Sequence, residues 1–348
     1  MKICEQSTEI CTETGLKKIE TIGKVCTKRE YTIKDDTAIP FVTNRIQEGH
    51  NAILMHEYVY FDLSNVQIDV RRDLLLYNPY IEYTNYGQFI AINYRTLLDM
   101  LLDTKVNKRR SSLIKHEEAL SDLIYLMWLY TPEFRDLFYS EREIFDFINP
   151  GVLSPLSEYI KRVEPAFILL NYPELFVATV KLTTDRGVSH EVVRHTEFAY
   201  MQESTRWCNY SKDNQGGQIQ FIQPFEEDET EAARNWYDFM ATVEAEYMEF
   251  INKFHWTAQI ARSVLTNSLK TDIYITGTLD KFKGELINQQ VGKLHIKEAK
   301  GFLPQRKANS AHPQMRELAI KLENALIAVY PESVSYTHLR AHETSQDL

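Results

Sequence analysis

Phe176-Val177-Ala178-Thr179-Val180-Lys181-Leu182 reads as a strand, and Gly187-Val188-Ser189-His190-Glu191-Val192-Val193-Arg194-His195 as the helix that follows it. Beyond the helix the chain is crowded with polar groups: Tyr200-Met201-Gln202-Glu203-Ser204-Thr205-Arg206-Trp207-Cys208-Asn209-Tyr210. The fourteen residues from Arg194 to Trp207 hold two Arg, one His, two Glu, one Gln, one Ser and two Thr. So many hydrogen-bonding groups beside apolar elements suit a polar ligand held at a loop next to a helix end, and equally a solvated loop.

Outward from this stretch, strands and helices mix without a regular βαβ alternation, which indicates an α+β fold. Ile39 to Gln47 predicts a short helix closed at Gly49, and Tyr58 to Leu63 a strand. Residues 16–34 read as short strands or turns. Residues 66–92 read as a possible hairpin, with helical segments near 93–103, 113–130 and 140–148. Trp236, Phe239, Met240, Val243, Tyr247, Phe250 and Phe254 recur at helical spacing, as do Met315, Leu318, Leu322, Ala325, Leu326 and Val329. Both stripes read as core. Ile273-Tyr274-Ile275 between them reads as a strand.

The formal net charge of −10 argues against a dedicated nucleic-acid binder, because phosphate backbones select basic faces. A small anionic ligand stays open, since a few arginines decide that locally. Cys4, Cys11, Cys26 and Cys208 form no CxxC pair, so neither zinc nor a disulfide framework is expected, and a reducing cytoplasm is. There is no signal-peptide core at the N-terminus and no apolar run long enough to span a membrane. GxGxxG and GxxxxGK[ST] are both absent, so a nucleotide or flavin must be held by another device.

The stretch from Asp185 to Asp213 resembles the signature of the flavin-dependent thymidylate synthases, RHRxxSxNExSxRY. Arg194 and His195 match its opening, and Ser204 and Arg206 match its S and R. Gln202 falls on its Glu and Trp207 on its Tyr. Gly49-His50 with His56, Ala261-Arg262-Ser263-Val264-Leu265, and Phe302-Leu303-Pro304-Gln305-Arg306 followed by Ala311-His312-Pro313-Gln314-Met315-Arg316-Glu317 resemble further segments in the family's order.

The resemblance implies a mixed sheet flanked by helices, with an inserted α/β subregion. Residues 1–63 would be the N-terminal part of the synthase fold, 64–173 an insertion, and 174–333 the catalytic core. Residues 334–348 resemble a translated sequencing-adaptor read-through and are set aside. The implied reaction is methylation of dUMP to dTMP, with FAD as cofactor and methylenetetrahydrofolate and NADPH as co-substrates. The implied partners are small molecules only, in a homotetramer whose active sites are shared between subunits.

The implied dUMP contacts are Glu191, Gln202, Ser204, Arg206, Arg262 and Arg306. Arg306, Ser204 and Arg206 would be catalytic, with Arg306 aimed at the pyrimidine. FAD would meet His56, Arg194 and His195, the last two as counter-charges to the reduced ring, and Lys283. No metal is implied, and Cys208 reads as a buried small residue rather than a nucleophile.

Thr196 stands where the signature has a second Arg. Asp280 and Thr278 stand where the family has Arg and Asn, with about seventeen extra residues before Phe302. These departures leave two alternatives open: a relative that hydroxymethylates a pyrimidine nucleotide, and a non-catalytic nucleotide-binding homologue.

Overall fold

The computed structural model describes residues 1–102, 114–138, 159–212, 216–226, 230–291 and 293–331. The first half carries β1 (Lys2–Cys4), β2 (Ser7–Ile10), α1 (Gly15–Val25), α2 (Ala38–Gln47), β3 (Tyr58–Asp62), α3 (Ile68–Tyr77), β4 (Glu82–Thr84) and β5 (Phe89–Asn93). α4 (Tyr94–Leu101), α5 (Glu117–Leu129), α6 (Pro132–Arg135), β6 (Lys161–Val163) and α7 (Pro165–Asn171) follow. The second half carries β7 (Val177–Asp185), α8 (Arg186–Val192), β8 (Ala199–Gln202), β9 (Gln220–Ile222), α9 (Glu231–Asn252) and α10 (Ala258–Ala261). It ends with β10 (Lys270–Thr278), α11 (Leu279–Lys283), β11 (Glu285–Val291), β12 (Leu294–Lys300), α12 (Phe302–Arg306) and α13 (Pro313–Val329). The mixture is α+β, as expected.

The site is built on an antiparallel sheet ordered β2-β7-β10-β8. β7 and β10 pair from Val177↔Thr278 to Asp185↔Lys270. Every position of β10 is buried, because both faces of the strand are covered. On one face, Val180, Leu182, Ile273 and Ile275 pack against Met315, Leu318, Leu322 and Leu326 of α13. On the other, Tyr274 meets Ile22 and Val25 of α1. The two-residue period of a strand sends Ile273 and Ile275 one way and Tyr274 the other.

A second antiparallel sheet is ordered β4-β5-β3-β6. One face, with Val59, Phe61, Ile90 and Ile92, joins the large cluster that includes Leu74, Leu97, Leu123 and Phe134. The opposite face presents Tyr60, Phe89 and Ala91 to Leu175 and Val177. There the Val177 N–H donates to Tyr60 Oη at 2.9 Å, so the second sheet is fastened to the start of β7. β3 pairs with β5 and β6, so residues 58–62 share one sheet with strands from 64–173.

Three stretches differ from the sequence reading. Residues 16–25 lie in α1 rather than strands or turns, whereas turns do follow over 26–32. Gly15 and Gly23 look like breakers, but a Cβ at Gly23 would lie 2.8 Å from the Phe41 ring, so this glycine lets α2 pack close. Over 66–92 the first part is helix α3, with Val70 and Leu74 buried, and only β4 and β5 are paired strands. The extra residues before Phe302 are the hairpin β11–β12, pinched at its base by Gly284 (φ 60°) and Gly301 (φ 83°). A Cβ on Gly301 would lie 2.4 Å from Gly284 Cα, a spacing that only paired glycines allow. The hairpin therefore leaves and rejoins the chain at nearly one point, and α12 keeps its place beside α11. The helix expected over 140–148 and the tail 334–348 lie outside the described residues. No helix among the described residues is long and apolar enough to cross a membrane.

Candidate functional site

α8 is a short strut with a cluster of site residues at each end. Its start is fixed by Asp185, whose carboxylate caps the Val188 N–H at 2.7 Å. The Arg186 and Gly187 N–H groups donate to Leu269 O and Asn267 O in the segment leading into β10. Seven residues of helix place the two ends about 10 Å apart.

Arg306 organises the C-terminal end. It reaches α8 from α12, donating from Nε to His195 Nε2 at 2.9 Å, from Nη1 to Glu191 Oε2 at 3.2 Å and from Nη2 to the Glu191 carbonyl at 2.9 Å. Accepting at Nε2 puts the neutral ring's proton on Nδ1, which lies 3.4 Å from Glu197 Oε1. Burial, and then the Arg306 charge, push His195 below its ordinary pKa, against the pull of Glu197. Burial also lowers Arg306; Glu191 opposes this and the neighbouring Arg194 adds to it. A guanidinium remains charged regardless. Arg194 is exposed. Two cations beside a neutral imidazole thus form a patch that an anionic ligand would relieve.

At the N-terminal end, Gln202 Nε2 donates to Ser189 Oγ at 2.8 Å and to Thr271 Oγ1 at 3.2 Å. The turn after it carries Ser204, whose N–H donates to Cys26 O. Arg206 and Arg262 are both exposed here. Arg206 Nε donates to Gln259 Oε1 at 3.2 Å and its guanidinium lies 5.8 Å from the Trp207 ring. Arg262 Nη1 donates to Thr205 Oγ1 at 3.3 Å. Most N–H groups of both side chains are therefore open to a ligand.

Beneath this turn lies a buried network absent from the sequence reading. Tyr210 Oη donates to Glu203 Oε1 at 2.7 Å, Lys270 lies 3.6 Å from Glu203 Oε2, and Lys270 also pairs with Asp272. The Glu203 carbonyl accepts from Arg186 Nη1 at 3.1 Å, and its N–H donates to Asp272 O at 2.9 Å. One signal was available: Lys270 and Asp272 share a strand face by period two. The match to Glu203 needs the fold.

With this geometry in view, the comparisons with known proteins bear on residues 171–332, which match the family model described as thymidylate synthase complementing protein. The matched stretch holds β7 to α13, and so both clusters around α8. Among solved structures, a crystal structure of a UMP/dUMP methylase PolB from Streptomyces cacaoi bound with 5-Br dUMP is similar at 15% identity and a TM-score of 0.34. That similarity covers 49% of this chain and 77% of that one. No curated protein matches the chain.

Within residues 171–332 the expected arginines fall into two pairs: Arg194 with Arg306, and Arg206 with Arg262, separated by α8. One expected flavin contact, His56, is placed differently from the sequence reading. His56 is fully buried; its Nδ1 lies 2.8 Å from Thr276 Oγ1, itself 2.9 Å from Thr179 Oγ1. Burial, with Lys18 nearby, lowers its pKa to about 3, so it is a neutral core group with no face left for a ring. Lys283 sits close to Asp280, whose pKa is raised by burial and by Glu174. Lys281, two residues earlier on α11, is the lysine that reaches the His195 loop. The pKa of His195, read above as a counter-charge, is lowered by burial and then by Arg306. Thr196 is exposed and supplies no charge. Cys208 is buried, and burial pushes its thiol up to about 12, which disfavours a thiolate.

The donor set at the C-terminal end of α8 fits an anionic edge such as that of a reduced flavin through Arg194 and Arg306, whose mutual repulsion such an edge would offset. His56 takes no part in that fit.

Proposed function

We propose that the chain is a thymidylate synthase that methylates dUMP to dTMP with methylenetetrahydrofolate, NADPH and FAD, as a homotetramer with shared active sites. The carrying observation is Arg306, held in register by Glu191 and His195 at the end of the signature helix. It uses three of its five N–H donors internally. The remaining two suit a pyrimidine carbonyl, and the Glu191 carboxylate is placed to accept the ring N–H beside it. As negative charge develops on the pyrimidine during carbon transfer, a fixed guanidinium stabilises it without reorganising. Ser204, Gln202, Arg206 and Arg262 would hold the nucleotide, with the two guanidiniums on the phosphate. Their separation from Arg306 by the length of α8 supports a site completed by Arg206 and Arg262 of a neighbouring chain.

Arg194 and Arg306 would hold FAD, which, once reduced by NADPH, would supply the hydride that brings the transferred carbon to the methyl level. His195 would keep Arg306 aimed through Nε2 while its own proton stays on Nδ1 toward Glu197.

A second reading, a nucleotide-binding homologue without flavin, is favoured by the sealed position of His56 and the absence of a cation at Thr196 and Asp280. A visible spectrum of the purified protein, before and after FAD is added, separates the two. A flavin band together with dTMP formed from dUMP, folate and NADPH supports the synthase. A colourless protein that binds dUMP and forms no dTMP supports the homologue, and a product heavier by one oxygen would mark a hydroxymethylase.

A further inference from the structure

We infer that the second sheet braces the candidate site: Lys281, anchored by Glu82 of β4, positions the His195 loop and through it Arg306. Lys281 Nζ is ion-paired with Glu82 and donates to the Glu197 carbonyl at 3.1 Å. The Glu197 side chain faces His195 Nδ1, and His195 Nε2 receives the Arg306 Nε–H. Four contacts thus run from an edge strand of the second sheet to the guanidinium at the centre of the site.

The anchored end is stiff. β4 pairs with β5 from Glu82↔Ala91 to Thr84↔Phe89, and both Ala91 and Phe89 are buried in the contact with Leu175 and Val177. Thr84 Oγ1 donates to Glu174 Oε1 at 3.0 Å, a second tie from β4 to the segment just before β7. The Glu82–Lys281 pair is about three-quarters buried on both sides, which limits screening by salt. Without the pair, the exposed turn Thr196–Glu197 would be held by its buried flanks, His195 and Phe198, with no tie to the second sheet at Lys281. A side chain that aims another residue through one hydrogen bond loses that aim when its own anchor goes, commonly at a cost on the order of tenfold in ligand affinity.

The charged groups around His195 are Arg306 from α12, Glu197 on its own turn, Arg194 beside it, and Glu191 beyond Arg306. The Tyr200 hydroxyl donates to the His195 carbonyl at 2.6 Å. Lys281 meets the ring only through Glu197. This role rests on the proposed nucleotide site, but its first readout does not require that site to bind dUMP.

The test uses the full chain with Lys281→Met, Glu82→Gln and Lys281→Arg. The His195 ring is titrated by NMR on histidine-labelled protein, with its signal assigned from a His195→Gln sample, and dUMP affinity is measured by calorimetry. In Lys281→Met the turn loosens, water reaches the ring, and the His195 pKa should rise toward its ordinary value while dUMP affinity falls about tenfold. Glu82→Gln should shift both in the same direction by less, and Lys281→Arg should restore both. An unchanged His195 titration in Lys281→Met, with only a lower melting temperature, would overturn the brace and leave Lys281 a contact between sheets. A shifted titration in a protein that never binds dUMP would uphold the brace and sink the nucleotide reading.

Discussion

Replacing His56 with Gln should flatten the acid limb of the stability curve. In the folded protein His56 is fully buried and its pKa is lowered to about 3, against an ordinary 6.5. Between these values the unfolded chain binds the proton and the folded chain does not. Stability from this group is therefore complete above pH 6.5 and is lost as the pH falls toward 3. The slope approaches about 1.4 kcal/mol per pH unit below pH 6.5, which integrates to about 2.3 kcal/mol between pH 6.5 and 4.5. Gln has no proton to gain, and its amide can still meet Thr276 Oγ1, so His56→Gln should lose about 1 kcal/mol near neutrality from imperfect hydrogen bonding. The two stability curves should then converge and cross as the pH falls. Urea unfolding of both proteins at half-unit steps from pH 7.5 to 4.5 measures this directly. Other acid-sensitive groups, such as the buried Glu57 beside Lys18, titrate in both proteins and cancel in the difference. Parallel curves over that range would refute the placement of a neutral His56 in the core and return it to the list of possible flavin contacts.

Leu322→Ala removes a fully buried side chain between α13 and the β7–β10 sheet and should cost about 2–5 kcal/mol in urea unfolding. Gly301→Ala should lower the melting temperature more than Gly49→Ala. Both glycines have positive φ, but a Cβ at Gly49 meets nothing within 4 Å, whereas one at Gly301 strikes the Gly284 backbone. Arg306→Lys keeps the charge but loses the fork that binds His195 and Glu191 together, and calorimetry should show dUMP binding weakened by about 10- to 100-fold.

The central strand and the two amphipathic stripes were legible because their periods are local. Met315, Leu318, Leu322 and Leu326 are buried as their spacing implies. In the α9 stripe, Met240, Val243 and Tyr247 are buried while Phe239 and Phe254 are exposed, so the periodicity marked the helix but overstated its buried face. α1 is not legible from its own stretch, where Gly23 has its place only because the Phe41 ring of α2 packs against it. The β11–β12 hairpin was seen only as extra length, since its glycine pinch is a contact between residues seventeen apart in sequence. Of the site, Arg306, Glu191 and His195 belong to the segments that carry the resemblance, and they lie together. Their mutual geometry, and the neutral state of His195, depend on burial that no local pattern encodes.

Taken by itself, the order of residues determined the chemistry on offer: guanidiniums, carboxylates and amides at fixed places in a recognisable signature, beside a strand and a helix whose periods are written into a few successive residues. Tertiary structure alone decided which of them act together. It turned His56 inward, split the arginines into pairs at the two ends of α8, and set Lys281 rather than Lys283 against the His195 turn. The physical reason is range. Hydrophobic period and capping act over one or two turns of chain, whereas desolvation, ion pairing and hydrogen bonding at this site join residues as far apart as Glu82 and Lys281, or His195 and Arg306.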